Sequence, residues 1–365
     1  MTPEGGLNGS GSPISQRHDH PSVSRPEQSA AATRKPPAGL EQARTYLQQL
    51  YDARLRDRDY DFKKVFTCRI SQSEWSGLCS ELDLESPWSE RYKGPRFSYN
   101  SATSTLKIYA MTSWIHETVV SFFSEHFHVL FARALPKRLR QKIQVFTGLK
   151  VDGFHPPFED SSKVPDLGIF MDNDNTEEID LKWALEVGFS ERYDDLLEDI
   201  PMFLIGKATC SMAILVKITE SPTYRCPLDF DLDICEGLNI PQDVGQIVRK
   251  DFSLEGDYGP VKFKGHQWAG QISAFLEVWT CNPRTGEPRR KRLSRMDIIP
   301  AKNSSLQFQL RDFLYMNDDQ ETSLDWDELR TRLKVCLQSE AVSRCRAWLH
   351  ESRKRAGLDD TERHF

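Results

Sequence analysis

The segment from Val164 to Ile218 constrains the fold more than any other part of the chain. It holds three apolar runs of strand length. These are Val164-Pro165-Asp166-Leu167-Gly168-Ile169-Phe170, Trp183-Ala184-Leu185-Glu186-Val187-Gly188-Phe189 and Met212-Ala213-Ile214-Leu215-Val216-Lys217-Ile218. Runs this apolar need cover on both faces of a sheet. An acidic, helix-like stretch separates the second from the third, and two strands joined through a helix imply a right-handed parallel crossover. The first two runs each carry one carboxylate, Asp166 and Glu186, in apolar surroundings where a lone charge is costly.

The flanking sequence supplies the remaining elements. Ser113 reads as the N-cap of a long helix to about Leu135, with Pro136 ending it. Strands are expected over 143–151, 163–171, 181–189 and 212–219. Between the last two, Ser190 caps a helix to about Gly206, with Glu191, Asp194 and Asp195 at the positive end of its dipole and Pro201 kinking it. The order is helix, three strands, helix, strand: an α/β sandwich. Further on, Ser273–Trp279 is a strand, Asn282-Pro283-Arg284-Thr285-Gly286 a turn and Leu293–Ile299 the returning strand. A helix over 325–354 buries Leu329, Leu333, Leu337, Ala341, Cys345 and Trp348. Upstream lie a helix over 40–58, a short helix from Ser73 to Leu82, and a hairpin of Arg96–Tyr99 with Leu106–Tyr109.

These signals divide the chain into a tail (1–38), an N-terminal helical and hairpin extension (39–104), a core (105–300) and a C-terminal helical segment (301–365). An acidic insertion at 221–270 shows no readable pattern. The tail is rich in Gly, Ser and Pro, too polar to offset ordering entropy, and reads as disordered. A net charge of −6 over 365 residues confines any nucleic-acid contact to a local basic patch. No apolar run approaches the roughly 20 residues that cross a bilayer, and the N-terminus has no apolar core of a signal peptide. The eight cysteines include no C-x-x-C pair, so reduced thiols and a nuclear or cytoplasmic location are expected.

Side chains alternate along a strand, which places Lys182, Ala184, Glu186 and Gly188 on one face and Leu181, Trp183, Leu185 and Val187 on the other. If the strands of Asp166 and Glu186 are neighbours, their carboxylates approach within roughly 5 Å. Two close anions call for a cation, and Mg²⁺ or Mn²⁺ takes oxygen ligands of this kind. The plainer reading is an Asp at the start of a strand after Pro165 and a Glu before a Gly-Phe-Ser loop.

The order Asp166, Glu186, helix, apolar strand resembles the PD-(D/E)XK superfamily of restriction-endonuclease-like nucleases. More narrowly it is similar to a multicopy group of fungal nuclease-like proteins. Their E-V-G-[FY]-S-[EQ] strand is matched by Glu186-Val187-Gly188-Phe189-Ser190-Glu191, and their His-Glu helix start by His116-Glu117. Their A-F-x-E-V-W strand is matched by Ala274 to Trp279. The resemblance implies an α-β-β-β-α-β core, metal held by Asp166 and Glu186 with Glu117 as an outer carboxylate, and phosphodiester hydrolysis. A catalytically inactive descendant acting as a nucleic-acid or protein interaction module is the alternative.

The chain departs from the pattern at Gly188, where the superfamily has its lysine. Lys182 shares the face of Glu186 but lies some 13 Å away at about 3.3 Å per residue. Lys217 and Lys207 are the other candidates. For nucleic acid, Arg284, Arg289, Arg290, Lys291, Arg292 and Arg295 form a basic cluster that would grip a phosphate backbone or serve nuclear import, or else is a solvated turn. The chain has no P-loop, dinucleotide fingerprint or G-x-S-x-G elbow, and Asp229, Asp231 and Asp233 do not fit a calcium loop.

Overall fold

A computed structural model describes residues 38–55, 65–82, 95–110, 113–174, 176, 178–189, 191–226, 228–291, 295–301, 307–309 and 321–358. Residues 1–37 of the tail expected to be disordered, and Arg292 and Ser190, lie outside the described residues, while Ala38 opens a helix. The first elements are α1 (Ala38–Leu55), β1 (Val65–Arg69), α2 (Gln72–Glu81), β2 (Arg96–Asn100), β3 (Thr105–Tyr109), α3 (Trp114–Ala134) and α4 (Lys137–Arg140). The central elements follow as β4 (Ile143–Phe146), β5 (Leu167–Asp172), β6 (Ile179–Gly188), α5 (Tyr193–Leu197), α6 (Asp199–Leu204) and β7 (Met212–Ser221). Then come α7 (Leu232–Gly237), β8 (Ser253–Leu254), β9 (Val261–Phe263), β10 (His266–Ala269) and β11 (Gln271–Cys281). The chain closes with β12 (Pro288–Arg290), β13 (Met296–Ile299), β14 (Gln307–Gln309), β15 (Glu321–Ser323) and α8 (Trp326–Arg355). The protein is a mixed α/β molecule.

Its main sheet runs β12-β11-β7-β6-β5-β4, and β13 also pairs with β11. β4, β5 and β6 form an antiparallel meander, whereas β6 and β7 are parallel, with Glu186 opposite Leu215. A parallel pair needs a crossover, and α5 and α6 form it. α3 and α8 cover the face that carries Trp183, Leu185, Val187, Ile214 and Val216. Phe123 and Phe127 meet the Trp183 ring at 6.2 and 4.7 Å. The opposite face, with Ala184, Ala213 and Leu215, packs against Leu196, Ile200, Met202 and Phe203 of α5 and α6.

Three local expectations change. The crossover is two short helices rather than one, divided at Glu198 instead of at Pro201. Pro201 has no N–H to give the carbonyl of Leu197, so the first helix stops there. In the first turn of the second helix the missing donor does no harm. Strict alternation along β6 also fails: a register shift facing Ile169 and Phe170 skips Lys182 and places Leu181 with Ala184 in the α5–α6 core. Finally, Ser71 rather than Ser73 caps α2, through a capping box with Glu74.

β1, β3 and β2 make a second, antiparallel sheet packed against α1 and α2. It is tied to the segment before β5 by two backbone hydrogen bonds between Tyr99 and Ser162, at 2.7 and 2.9 Å. The next residue, Lys163, exchanges a further pair with Val151, at 2.7 and 2.9 Å. The chain just ahead of Asp166 is therefore clamped from both sides. The 221–270 insertion folds as α7 and the β8–β10 sheet and rests on α8, where Trp268 meets Trp348.

Candidate active site

Asp166 stands immediately before β5. Its N–H donates to the Leu185 carbonyl at 3.1 Å, and its Oδ2 accepts the Val187 N–H at 2.8 Å. Both neighbours of Glu186 are thus bonded to Asp166, and the two carboxylates converge from adjacent strands. This local architecture follows from the apolar runs around both residues, which force the strands together.

Each carboxylate meets cations of the chain itself. Asp166 Oδ1 lies 3.1 Å from His116 Nε2 and 3.3 Å from an Arg96 nitrogen. Glu186 Oε2 lies 3.0 Å from Lys163 Nζ. Lys163 donates also to Asp199 Oδ2 at 2.7 Å and to the Tyr109 hydroxyl at 3.2 Å. Lys107 donates to Glu191 Oε1 at 2.7 Å, to Asp199 Oδ2 at 3.0 Å and to the Asp195 carbonyl at 2.5 Å. An ammonium has three N–H donors, so both lysines are saturated. Lys163 is fully buried, and Glu186 is 3% exposed. Four carboxylates (Asp166, Glu186, Glu191, Asp199) thereby face Lys107, Lys163, Arg96 and His116.

The charges are not equally content. Burial alone would raise Asp166, but His116, Arg96 and the Val187 N–H outweigh it and hold the carboxyl well below the usual range. Burial would likewise depress the His116 imidazolium, yet Asp166 and Glu117 lift its pKa to about 9. Glu186 goes the other way. Burial pushes it well above the ordinary carboxylate range; Lys163 opposes this, while Asp166 and Asp199 add to it. Its Oε1 is buried with no hydrogen-bond partner. An unpartnered carboxyl oxygen in a protein interior is a stored cost.

The other expected site residues separate. Glu117 lies on α3 with its side chain 55% exposed, and reaches the cluster through His116 Nδ1, 3.2 Å away. Lys182 pairs with Asp180 at 2.9 Å. Lys217 Nζ donates to the carbonyls of Phe189, Glu191 and Ile218, clamping the loop after β6. Lys207 donates to the Gly153 carbonyl. Among the described residues none of these three lysines forms an ion pair with Asp166 or Glu186. At Gly188 an added Cβ would stand 2.2 Å from Leu196 Cδ1. The helix packs where a lysine would begin.

Sequence reasoning missed Lys163, which lies beside Glu186. The available signal was its position three residues before Asp166, at the start of an apolar run. It also missed Lys107, Asp199, His116 and Arg96 as members of the cluster.

A second buried carboxylate lies two strands away on the same face, since Glu186 and Glu277 are both opposite Leu215. Glu277 accepts from Tyr193 Oη at 2.8 Å and pairs with Arg290 at 2.7 Å and Arg295 at 3.5 Å. These two arginines of the basic cluster are therefore engaged by Glu277, while Arg284, Arg289 and Lys291 are exposed on the β11–β12 hairpin.

No family model matches the chain, and no curated protein or solved structure matches it either. Among the described residues no three His, Cys, Asp or Glu side chains are grouped to hold a metal ion. No helix among them is long and apolar enough to cross a membrane.

Proposed function

We propose that the chain is a PD-(D/E)XK-like nuclease that hydrolyses phosphodiester bonds of nucleic acid at Asp166 and Glu186 with Mg²⁺ or Mn²⁺, and that Lys163 positions Glu186 in the absence of a lysine at Gly188. The observation that carries this reading is the 3.0 Å contact of Lys163 with Glu186, beside an Asp166 bonded to the neighbours of that same glutamate. The element order α3, β4–β6, α5–α6, β7 agrees with the restriction-endonuclease-like core that the sequence motifs imply.

The donor set fits a hard divalent cation at one point above all, the unpartnered Glu186 Oε1. Asp166 is the second ligand. Two carboxylates suffice for Mg²⁺, which keeps several of its waters and does not require a full protein cage. Bound there, the ion supplies Lewis acidity toward the phosphodiester and an acidified water. Lys163 acts as a positioning residue: its three donors fix Glu186 relative to Asp199 and Tyr109. The exposed Arg284, Arg289 and Lys291 supply the phosphate-binding surface, since backbone contacts carry most of the affinity for nucleic acid.

A second reading, the catalytically inactive interaction module, is favoured by the Arg96 and His116 contacts that already neutralise Asp166. Incubating the purified chain with single- and double-stranded DNA and RNA in Mg²⁺ or Mn²⁺ separates the two. Cleavage that disappears in both Asp166→Asn and Glu186→Gln supports the hydrolase. Binding without cleavage under every condition, or cleavage indifferent to both substitutions, supports the module instead.

A further inference from the structure

Arg96 differs from the other cations of the cluster in its surroundings. It is the first residue of β2, an outer strand of the N-terminal sheet, which also supplies Lys107 from β3. Lys163 and Lys107 have no donor to spare, and their side chains are closed to solvent. His116 is locked between Asp166 and Glu117. The Arg96 side chain keeps 29% of its surface in water. Its guanidinium reaches Asp166 Oδ1 at 3.3 Å and lies 5.8 Å from the centre of the Tyr109 ring.

The lone pairs of Asp166 are heavily used. Oδ2 accepts from Val187, and Oδ1 faces both His116 and Arg96. A divalent cation and a guanidinium at the same oxygen repel each other. The group that can leave is the one with access to water and the weakest hold, because a partly exposed ion pair is easily exchanged. A guanidinium released at the mouth of the site is matched in shape and charge to a phosphate.

From these relations we infer that Arg96 is the exchangeable counter-ion of Asp166: it neutralises the carboxylate in this structure, yields to a divalent cation, and then engages a phosphate of the nucleic-acid substrate. The inference rests on the metal-dependent reading above.

The test is calorimetric titration of the full chain with Mn²⁺, for wild type, Arg96→Gln, Arg96→Lys and Glu186→Gln. Its companion is binding of a nuclease-resistant phosphorothioate oligonucleotide at saturating Mn²⁺. Arg96→Gln should bind Mn²⁺ more tightly, on the order of fivefold to tenfold, and the oligonucleotide more weakly by a similar factor. Arg96→Lys, which keeps the charge, should stay near wild type for Mn²⁺. Equal Mn²⁺ affinity in wild type and Arg96→Gln, with binding lost in Glu186→Gln, would overturn the inference and leave the metal site standing. Tighter Mn²⁺ with unchanged oligonucleotide binding would overturn the phosphate contact. Absence of Mn²⁺ binding in both wild type and Arg96→Gln would remove the metal reading itself, and the inference with it.

Discussion

Lys163 Nζ lies 3.0 Å from Glu186 Oε2, yet this pair leaves the other glutamate oxygen buried and unbonded. The two residues therefore differ in what they do for stability. Lys163 also holds Asp199, so replacing it leaves Glu186 without its cation and Asp199 with Lys107 alone. Lys163→Met should cost about 3–5 kcal/mol, as when one member of a buried ion pair is removed. Glu186→Gln relieves an uncomfortable charge while Asp199 still satisfies Lys163, and should stay within about 1 kcal/mol of wild type. Urea unfolding of both variants checks this. Equal losses would contradict it.

Placing a lysine at position 188 should fail. The Gly188 Cβ direction points at the side chain of Leu196, which lies on α5 and is fully buried against the sheet. Gly188→Ala should destabilise by roughly 1–3 kcal/mol through overpacking, and Gly188→Lys by more. Thermal unfolding reads the first effect. A Gly188→Lys variant with unchanged melting temperature would show that α5 yields.

His116 makes the cluster sensitive to alkali. Asp166 and Glu117 attract its imidazolium, Arg96 opposes it, and the balance lifts its pKa to about 9. A folded-state pKa above the unfolded value of about 6.5 means that the protonated form is the stabilising one. That contribution is complete below about pH 6.5 and is lost as pH rises through about 9. The stability difference between wild type and His116→Gln should therefore shrink by on the order of 2 kcal/mol between pH 7 and pH 10. Denaturant unfolding across that range measures it, and a constant difference would mean that His116 is neutral throughout.

The basic hairpin should act through charge alone. Arg284→Ala and Arg289→Ala should each weaken nucleic-acid binding evenly across sequences and lower the salt slope by about 1. Arg290→Ala should also reduce stability, because Arg290 neutralises the fully buried Glu277. Anisotropy titrations at several salt concentrations, beside unfolding curves, separate the two effects. An unchanged salt slope in all three would place the nucleic acid elsewhere.

Much of the framework was legible because it rests on local pattern. Apolar runs around Asp166, Glu186 and Ile214 gave adjacent strands, and Ser113 capped α3 by accepting the His116 N–H as its position implied. The electrostatic partners were not legible, because they join residues far apart in sequence. Lys163 meets Asp199 of α6 and Tyr109 of β3, and periodicity carries no trace of such contacts. Lys107, in a strand of the expected hairpin, is buried by Glu191 and Asp199, 84 and 92 residues away in sequence. Lys182 was misplaced by assuming perfect alternation where β6 has a register shift.

The central claim is that Asp166 and Glu186 form one working site with Lys163 beside them. The most direct measurement compares phosphodiester cleavage by wild type and by folded Glu186→Gln in Mn²⁺, on the same oligonucleotide. The account predicts cleavage by wild type and its loss in a variant whose unfolding curve is unchanged. Cleavage retained by Glu186→Gln, or none by wild type, would contradict it.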